Sequence, residues 1–358
     1  MLRFSTRGPS SRPCSRSVPR RRRGSALVEL TLLGAVVGGV VAAVVMSGSS
    51  NWGMPFDPHE KAVPLYAAAV TPDGSRVFLS NAFGSGEVWS LHDRTLWDRH
   101  PCAGIMLHAA AYSRDGQSLA TTCALGTVTV WHEVPGQARA TSTVVHPQGG
   151  TAVAFSPDGS LLASAGIDGD VCVSLARDLS LVRKWKAHEN HIRSLAFSPD
   201  GTRVLTASRD GTVGLWDAAT GRQLRRSVAH AGQTVEAVAW SPDGRLIASG
   251  AWDGSVVICE AETGEPLHSM NGRAGNVTSL AFSADSQRLA SGSWGNSAHV
   301  WNVADGSLMQ TLDDHGSLVR TVAFVPQNDQ LVTSSWDGAV RVWDWRTKTE
   351  VQRFTCKQ

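Results

Sequence analysis

One phrase returns every 42 or 43 residues along this chain. It reads Thr71-Pro-Asp-Gly74, Ser113-Arg-Asp-Gly116, Ser156-Pro-Asp-Gly159, Ser198-Pro-Asp-Gly201, Ser241-Pro-Asp-Gly244, Ser283-Ala-Asp-Ser286 and Val325-Pro-Gln-Asn328. A fixed period of this length means one repeat architecture rather than a string of domains. The phrase is a turn with a mechanism. Proline pre-sets φ at the second position, Asp bonds its own backbone, and Gly accepts a positive φ. Each copy lies between two short apolar runs, so each is read as a hairpin turn.

The best-formed copy shows what one repeat builds. Ile192–Phe197 reads as a strand entering the turn, and Arg203–Ser208 as the strand leaving it. Arg209-Asp-Gly211 is a second tight turn, residues 212–216 a third strand, and residues 223–228 a fourth. A four-stranded antiparallel meander of this size matches one propeller blade. A lone blade has two apolar faces and cannot bury them; seven arranged radially can. Residues 350–355 read as a fourth strand for the last blade, whereas 51–63 is Pro-rich and a poor strand. The sequence therefore predicts an all-β, seven-bladed β-propeller over residues 58–358, each blade complete in itself.

Ala219-Thr-Gly221, His188, the run Ser208 to Thr212 and Leu215-Trp-Asp217 carry a likeness. From about Pro64 to the end, the chain resembles the WD-repeat propeller family. In that family a His before the first strand, a Ser or Thr ending the second, an Asp in the next turn and a Trp on the third share hydrogen bonds. Two repeats keep all four: His188, Ser208, Asp210 and Trp216, then His315, Ser335, Asp337 and Trp343. Elsewhere the set is eroded. Cys259 and Ser174 stand where Trp is expected, and the repeats holding Trp89 and Trp131 lose the Asp. By the same alignment Cys102 takes the His position and Cys123 the Ser position of the second blade. A disulfide between them is one reading, in an oxidising exterior; two free buried thiols are the other.

The resemblance also implies a docking face, where the first strand begins and the second ends. The residue before the turn Asp points there, giving Arg209, Trp252, Trp294 and Trp336 in blades four to seven. Residues flanking the start of the first strand add His191, Arg193, Glu236 and Arg320. Trp and Arg are enriched in binding hot spots because they bury large area and keep a polar handle. The equivalent positions of the first three blades include Tyr66, His108 and Thr151, so a bound segment is expected toward blades four to seven.

Motifs for chemistry are missing from the sequence. It has no His-Glu-x-x-His, no Gly-rich phosphate loop and no nucleophile elbow. His188 and His191 bracket Glu189-Asn190, but residues three apart in extended chain face opposite sides. The recurrent Asp158, Asp200 and Asp243 read as turn formers. No catalytic residue, metal site or cofactor is expected.

The net charge of +2 hides an asymmetry. Residues 1–24 hold eight Arg and no acid, so the remainder carries 25 basic against 31 acidic residues, or −6. A basic head on a mildly acidic body does not fit a nucleic-acid binder. Ser25–Met46 is almost wholly apolar and, as a helix, long enough at roughly 33 Å to span a bilayer. Arg20–Arg23 would hold the N-terminus in the cytoplasm, which places the propeller on the outer, periplasmic or extracellular, side. The expected organisation is a basic tail or leader (1–24), a transmembrane helix (25–46), a flexible linker (47–57) and the propeller. Arg23-Gly-Ser-Ala-Leu-Val-Glu29 resembles a type IV pilin-like precursor, which implies cleavage between Gly24 and Ser25 and an assembly role for Glu29. A retained signal anchor and a cleaved secretory or twin-arginine signal remain open beside it.

The sequence thus points to a membrane-tethered, non-catalytic propeller that scaffolds a peptide or protein segment. Recognition of a carbohydrate or other small ligand, a propeller-type enzyme and a minor subunit of a pilus-like assembly are the alternatives.

Overall fold

The computed structural model describes residues 63–81, 84–101, 106–132, 139–272, 275–325 and 329–355. The tail, the 25–46 span and the linker lie outside the described residues, and with them Gly24, Ser25 and Glu29; so does Cys102. Among the described residues no helix is long and apolar enough to cross a membrane.

Seven four-stranded sheets follow one another along the chain, each pairing only strands that are consecutive in sequence. Each is an antiparallel meander, and together they make a seven-bladed propeller. The first strands lie innermost and pack against the first strands of the neighbouring blades. These are Leu65–Val70, Leu107–Tyr112, Gly150–Phe155, Ile192–Phe197, Val235–Trp240, Val277–Phe282 and Val319–Val325. The seventh blade ends on its own fourth strand, Thr349–Thr355, and among the described residues no N-terminal strand joins it.

The turn phrase does what its residues dictate. At Ser198–Gly201 the Gly201 N–H donates to Ser198 O at 2.8 Å, and Ser198 Oγ donates to Asp200 Oδ1. Asp200 Oδ1 also accepts the Thr202 N–H at 3.0 Å, and Gly201 takes a φ of 73°. The sixth blade lacks the Gly, and Ser286 adopts φ 59° in its place.

The core follows from the radial arrangement. One apolar cluster forms at each junction between neighbouring blades. Ala163, Val173, Val204 and Trp216 join blades three and four, for example, and Leu65, Leu79, Val332 and Phe354 join blades one and seven. Second and third strands are therefore buried on both faces, while fourth strands are largely exposed. Each junction removes apolar area from water on both partners at about 25 cal/mol per Å², which no isolated blade achieves.

The hydrogen-bond network differs from expectation in one residue. In blade four the hydroxyl that meets the histidine is Thr206, not Ser208. His188 Nε2 lies 2.7 Å from Thr206 Oγ1, Trp216 Nε1–H donates to the same oxygen at 2.9 Å, and His188 Nδ1 lies 2.9 Å from Asp210 Oδ2. Thr206 Oγ1 thus accepts the indole proton and lies within hydrogen-bond reach of both His188 Nε2 and Gly214 O, the latter at 3.2 Å. Ser208 instead donates to Asn190 O at 3.3 Å and accepts the Asp210 N–H at 3.0 Å, holding the turn. Two residues apart on a strand, Thr206 and Ser208 share a face, and the loop carrying His188 reaches the deeper one.

Blade seven departs further. Thr333, not Ser335, binds His315 Nε2 at 2.8 Å and Trp343 Nε1 at 2.9 Å. Asp337 turns to Arg341 Nη2 at 2.6 Å and to the Gly316 N–H at 2.9 Å. Arg341 occupies the place held by Gly214 in blade four, opposite the network hydroxyl on the third strand. Its guanidinium wins the carboxylate from the histidine. In blade three His146 keeps the link to Asp168 at 3.2 Å although Ser174 replaces the Trp.

The premise of the Cys102–Cys123 pairing falls with the same correction, because the histidine meets the hydroxyl two residues before the Ser position. Cys123 is a buried free thiol.

Candidate functional site

Every inner strand carries a bulge at its second residue. Pairing with the second strand skips Tyr66, His108, Thr151, Arg193, Glu236, Thr278 and Arg320 in turn. An inserted residue is free of the ladder and re-aims its side chain. All seven line one mouth of the central channel, which opens to solvent.

Most of these side chains stitch one blade to the next. His108 Nδ1 lies 2.8 Å from Gly150 O, so that nitrogen carries the proton. Thr151 donates to Ile192 O and Thr278 to Val319 O, both at 2.5 Å. Arg320 Nε donates to Tyr66 O at 3.1 Å across the junction of blades seven and one. Arg193 makes two bonds to Glu236, Nε to Oε2 at 2.9 Å and Nη2 to Oε1 at 2.5 Å.

Charge concentrates on one side of the mouth. Glu236 receives Arg193, the Trp252 Nε1–H at 3.1 Å, and the field of Arg320, whose Nη1 lies 3.8 Å away. Burial works to raise the Glu236 pKa, but Arg193, Arg320 and the indole proton outweigh it and hold the carboxyl ionised below its ordinary range. Arg193 is held above its ordinary value because Glu236 overcomes the cost of burial. Burial, joined by repulsion from Arg193, pulls Arg320 down against the attraction of Glu236. Burial also lowers His108, and both arginines add to that.

The tryptophans of blades five to seven stand on one side of this mouth and make ring contacts across blade boundaries. Trp252 and Trp294 stand with ring centroids 6.4 Å apart, and Trp336 packs on Tyr66 at 5.3 Å, bridging blades seven and one. The Arg209 guanidinium lies 5.7 Å over the Trp252 ring, a cation–π contact. Trp294 is 39% exposed, Trp252 and Trp336 less so. His191 is half-buried, its pKa lowered by burial and by Arg209 and Arg193.

The structure thus brings Arg193, Glu236, Arg320 and Trp252 into one cluster, with Arg209 and Trp294 leaning on Trp252, and places Trp336 beside Tyr66. Sequence reading placed Tyr66, His108 and Thr151 at equivalent positions but did not foresee the continuous circle. The signal was present as one polar or aromatic residue after the first apolar residue of each inner strand. Among the described residues no group of His, Cys, Asp and Glu is arranged to hold a metal ion.

A seven-bladed ring of four-stranded meanders, with His–Thr–Trp networks inside blades four and seven, defines a propeller of the WD-repeat type. Residues 106–358 match the family model described as IFT122 first beta-propeller, and the chain belongs to that family. It is also similar to Protein hir-1 of Neurospora crassa, with 28% identity over 165 residues, covering 38% of this chain. The match spans 16% of the length of that relative.

Proposed function

We propose that this protein is a non-catalytic interaction scaffold that holds an extended peptide or protein segment on the channel-mouth face. Propellers of this type generally bind protein partners, and fold alone does not choose one. The observation that carries the reading is Trp294. It is a large aromatic ring left exposed beside Trp252, at the edge of a solvent-open mouth ringed by bulge-aimed polar side chains. An aromatic pair next to a polar funnel offers apolar area and hydrogen-bond donors together, the composition of a hot spot.

The mouth is poorly suited to acid–base catalysis. Glu236 is locked in its ionised form by two arginines, and one nitrogen of His108 is committed to a carbonyl. A general base needs a pKa near the working pH.

We further propose that Ser25–Met46 anchors the protein as a single membrane span, with residues 1–24 in the cytoplasm and the propeller outside. The apolar length and the flanking arginines support this.

In-cell crosslinking followed by capture tests the scaffold. The wild type is expected to retain a partner that the folded Trp252→Ala/Trp294→Ala variant loses, with an affinity drop of more than about 2 kcal/mol. An identical catch from both would place function off this face.

A further inference from the structure

We propose that the channel mouth recognises a carboxylate side chain, an Asp or Glu of the bound segment, through the guanidinium of Arg320. The inference rests on the scaffold reading and specifies the chemistry of the partner.

The argument begins with a charge count. Arg193 and Arg320 bring two positive charges to the mouth and Glu236 one negative, leaving a surplus of one. The surplus belongs to Arg320. Glu236 gives both oxygens to Arg193 in a fork, and one also takes the Trp252 indole proton. Arg320 spends its Nε–H on Tyr66 O. Its nearest carboxylate oxygen is 3.8 Å away, beyond hydrogen-bond range, so among the described residues no acceptor takes the protons of its two Nη groups. The side chain is 24% exposed and lines the solvent-open funnel.

A guanidinium whose Nη groups face the funnel without a protein acceptor can exchange water for a charged acceptor, and such charge-assisted bonds are the stronger kind. The planar fork of Arg matches a carboxylate through two parallel bonds. A single negative charge makes the mouth neutral, whereas a dianionic phosphate leaves it negative beside Glu236. The carboxylate is assigned to a peptide because the Trp252–Trp294 pair offers the neighbouring residue an aromatic surface. The eight arginines of residues 1–24 also attract acidic peptides, so the part of the Glu preference that Arg320→Gln removes is what reports this site.

The test uses the full chain in detergent and two biotinylated, C-amidated nonapeptides. One alternates Ser and Glu, the other Ser and Gln. Wild type is expected to bind the Glu peptide at least tenfold more tightly, and folded Arg320→Gln to lose that preference. Arg320→Lys keeps the charge but not the fork, and is expected to retain about a third of the preference; where Arg320→Gln fails to fold, an unchanged Arg320→Lys overturns the proposal. Equal binding of both peptides by wild type, or an undiminished preference in Arg320→Gln, also overturns it. If these arms fail while Trp252→Ala/Trp294→Ala still loses the crosslinked partner, the carboxylate assignment falls and the scaffold stands. If the tryptophan variant also keeps its partner, both fall.

Discussion

Arg193 and Glu236 lie 43 residues apart in sequence and join blades four and five through a two-bond ion pair at the channel mouth. Both side chains are largely buried, 18% and 7% exposed. Removing one member of such a pair strands the other, at a typical cost of about 3–5 kcal/mol. The two are not equivalent. Glu236 also answers Trp252 and Arg320, whereas loss of Arg193 leaves Glu236 with Arg320. Glu236→Ala is therefore expected to cost more than Arg193→Ala in urea unfolding, and Arg193→Met/Glu236→Leu less than either. Single variants within about 1 kcal/mol of wild type would show that the pair is solvated.

Thr206 and Ser208 provide a second test, because they sit on one strand face and differ only in what they reach. Thr206→Val leaves the Trp216 N–H and His188 without their shared partner, a loss of about 2–3 kcal/mol. Ser208→Ala removes turn-holding bonds and is expected to cost about 1 kcal/mol. The reverse order in thermal or chemical melts would return the network to Ser208.

Histidine burial sets a pH window. Burial, with the nearby charge of Arg341, lowers the His315 pKa from 6.5 to about 4. The folded state therefore binds fewer protons than the unfolded chain between these values, and stability rises with pH across them. It is fully present above pH 6.5 and lost as pH falls toward 4. His315 alone accounts for a loss of about 2 kcal/mol at pH 5. His146, His188 and His230 are lowered mainly by burial too and add to it. Urea melts at pH 7.5 and 5 check the sign, and His315→Gln is expected to shrink the difference. A stability that does not change over this interval contradicts the buried, neutral histidines.

The N-terminal proposal is settled by the mature protein itself. A retained anchor predicts membrane-fraction protein with its N-terminal sequence intact through Arg23. A chain beginning at Ser25 in the membrane fraction supports the pilin-like leader instead, and a soluble chain beginning beyond Met46 a cleaved signal.

The blades were legible because their signals are local. Ser198-Pro-Asp-Gly201 names its turn within four residues, and recurrence supplies the count. The fourth strand of blade seven, Thr349–Thr355, was legible for the same reason, since its apolar pattern is local. The networks were less so. Alternation identifies a face but cannot choose between Thr206 and Ser208, because the choice depends on where a loop sets His188. The diversion of Asp337 to Arg341 arises from one exchange on a neighbouring strand, Gly to Arg, that no motif count weighs. The channel circle was hardest. A bulge has no residue signature, and the partners it brings together, such as Arg320 and Tyr66, stand 254 positions apart.

Closure of the ring without a shared strand has a mechanical consequence. Blades one and seven meet through apolar side chains, the Tyr66–Trp336 contact and the Arg320 bond to Tyr66 O. Tension entering at Leu65 meets two things at once, the backbone ladder that pairs Leu65 with Asn81 inside blade one and the side-chain contacts of the seam. The seam itself holds no ladder, so blades one and seven part by losing side-chain contacts alone, and the mouth then loses Tyr66 while Arg193 and Glu236 stay joined. A scaffold loaded from that end would release part of its grip gradually, as a clutch does, rather than breaking all at once.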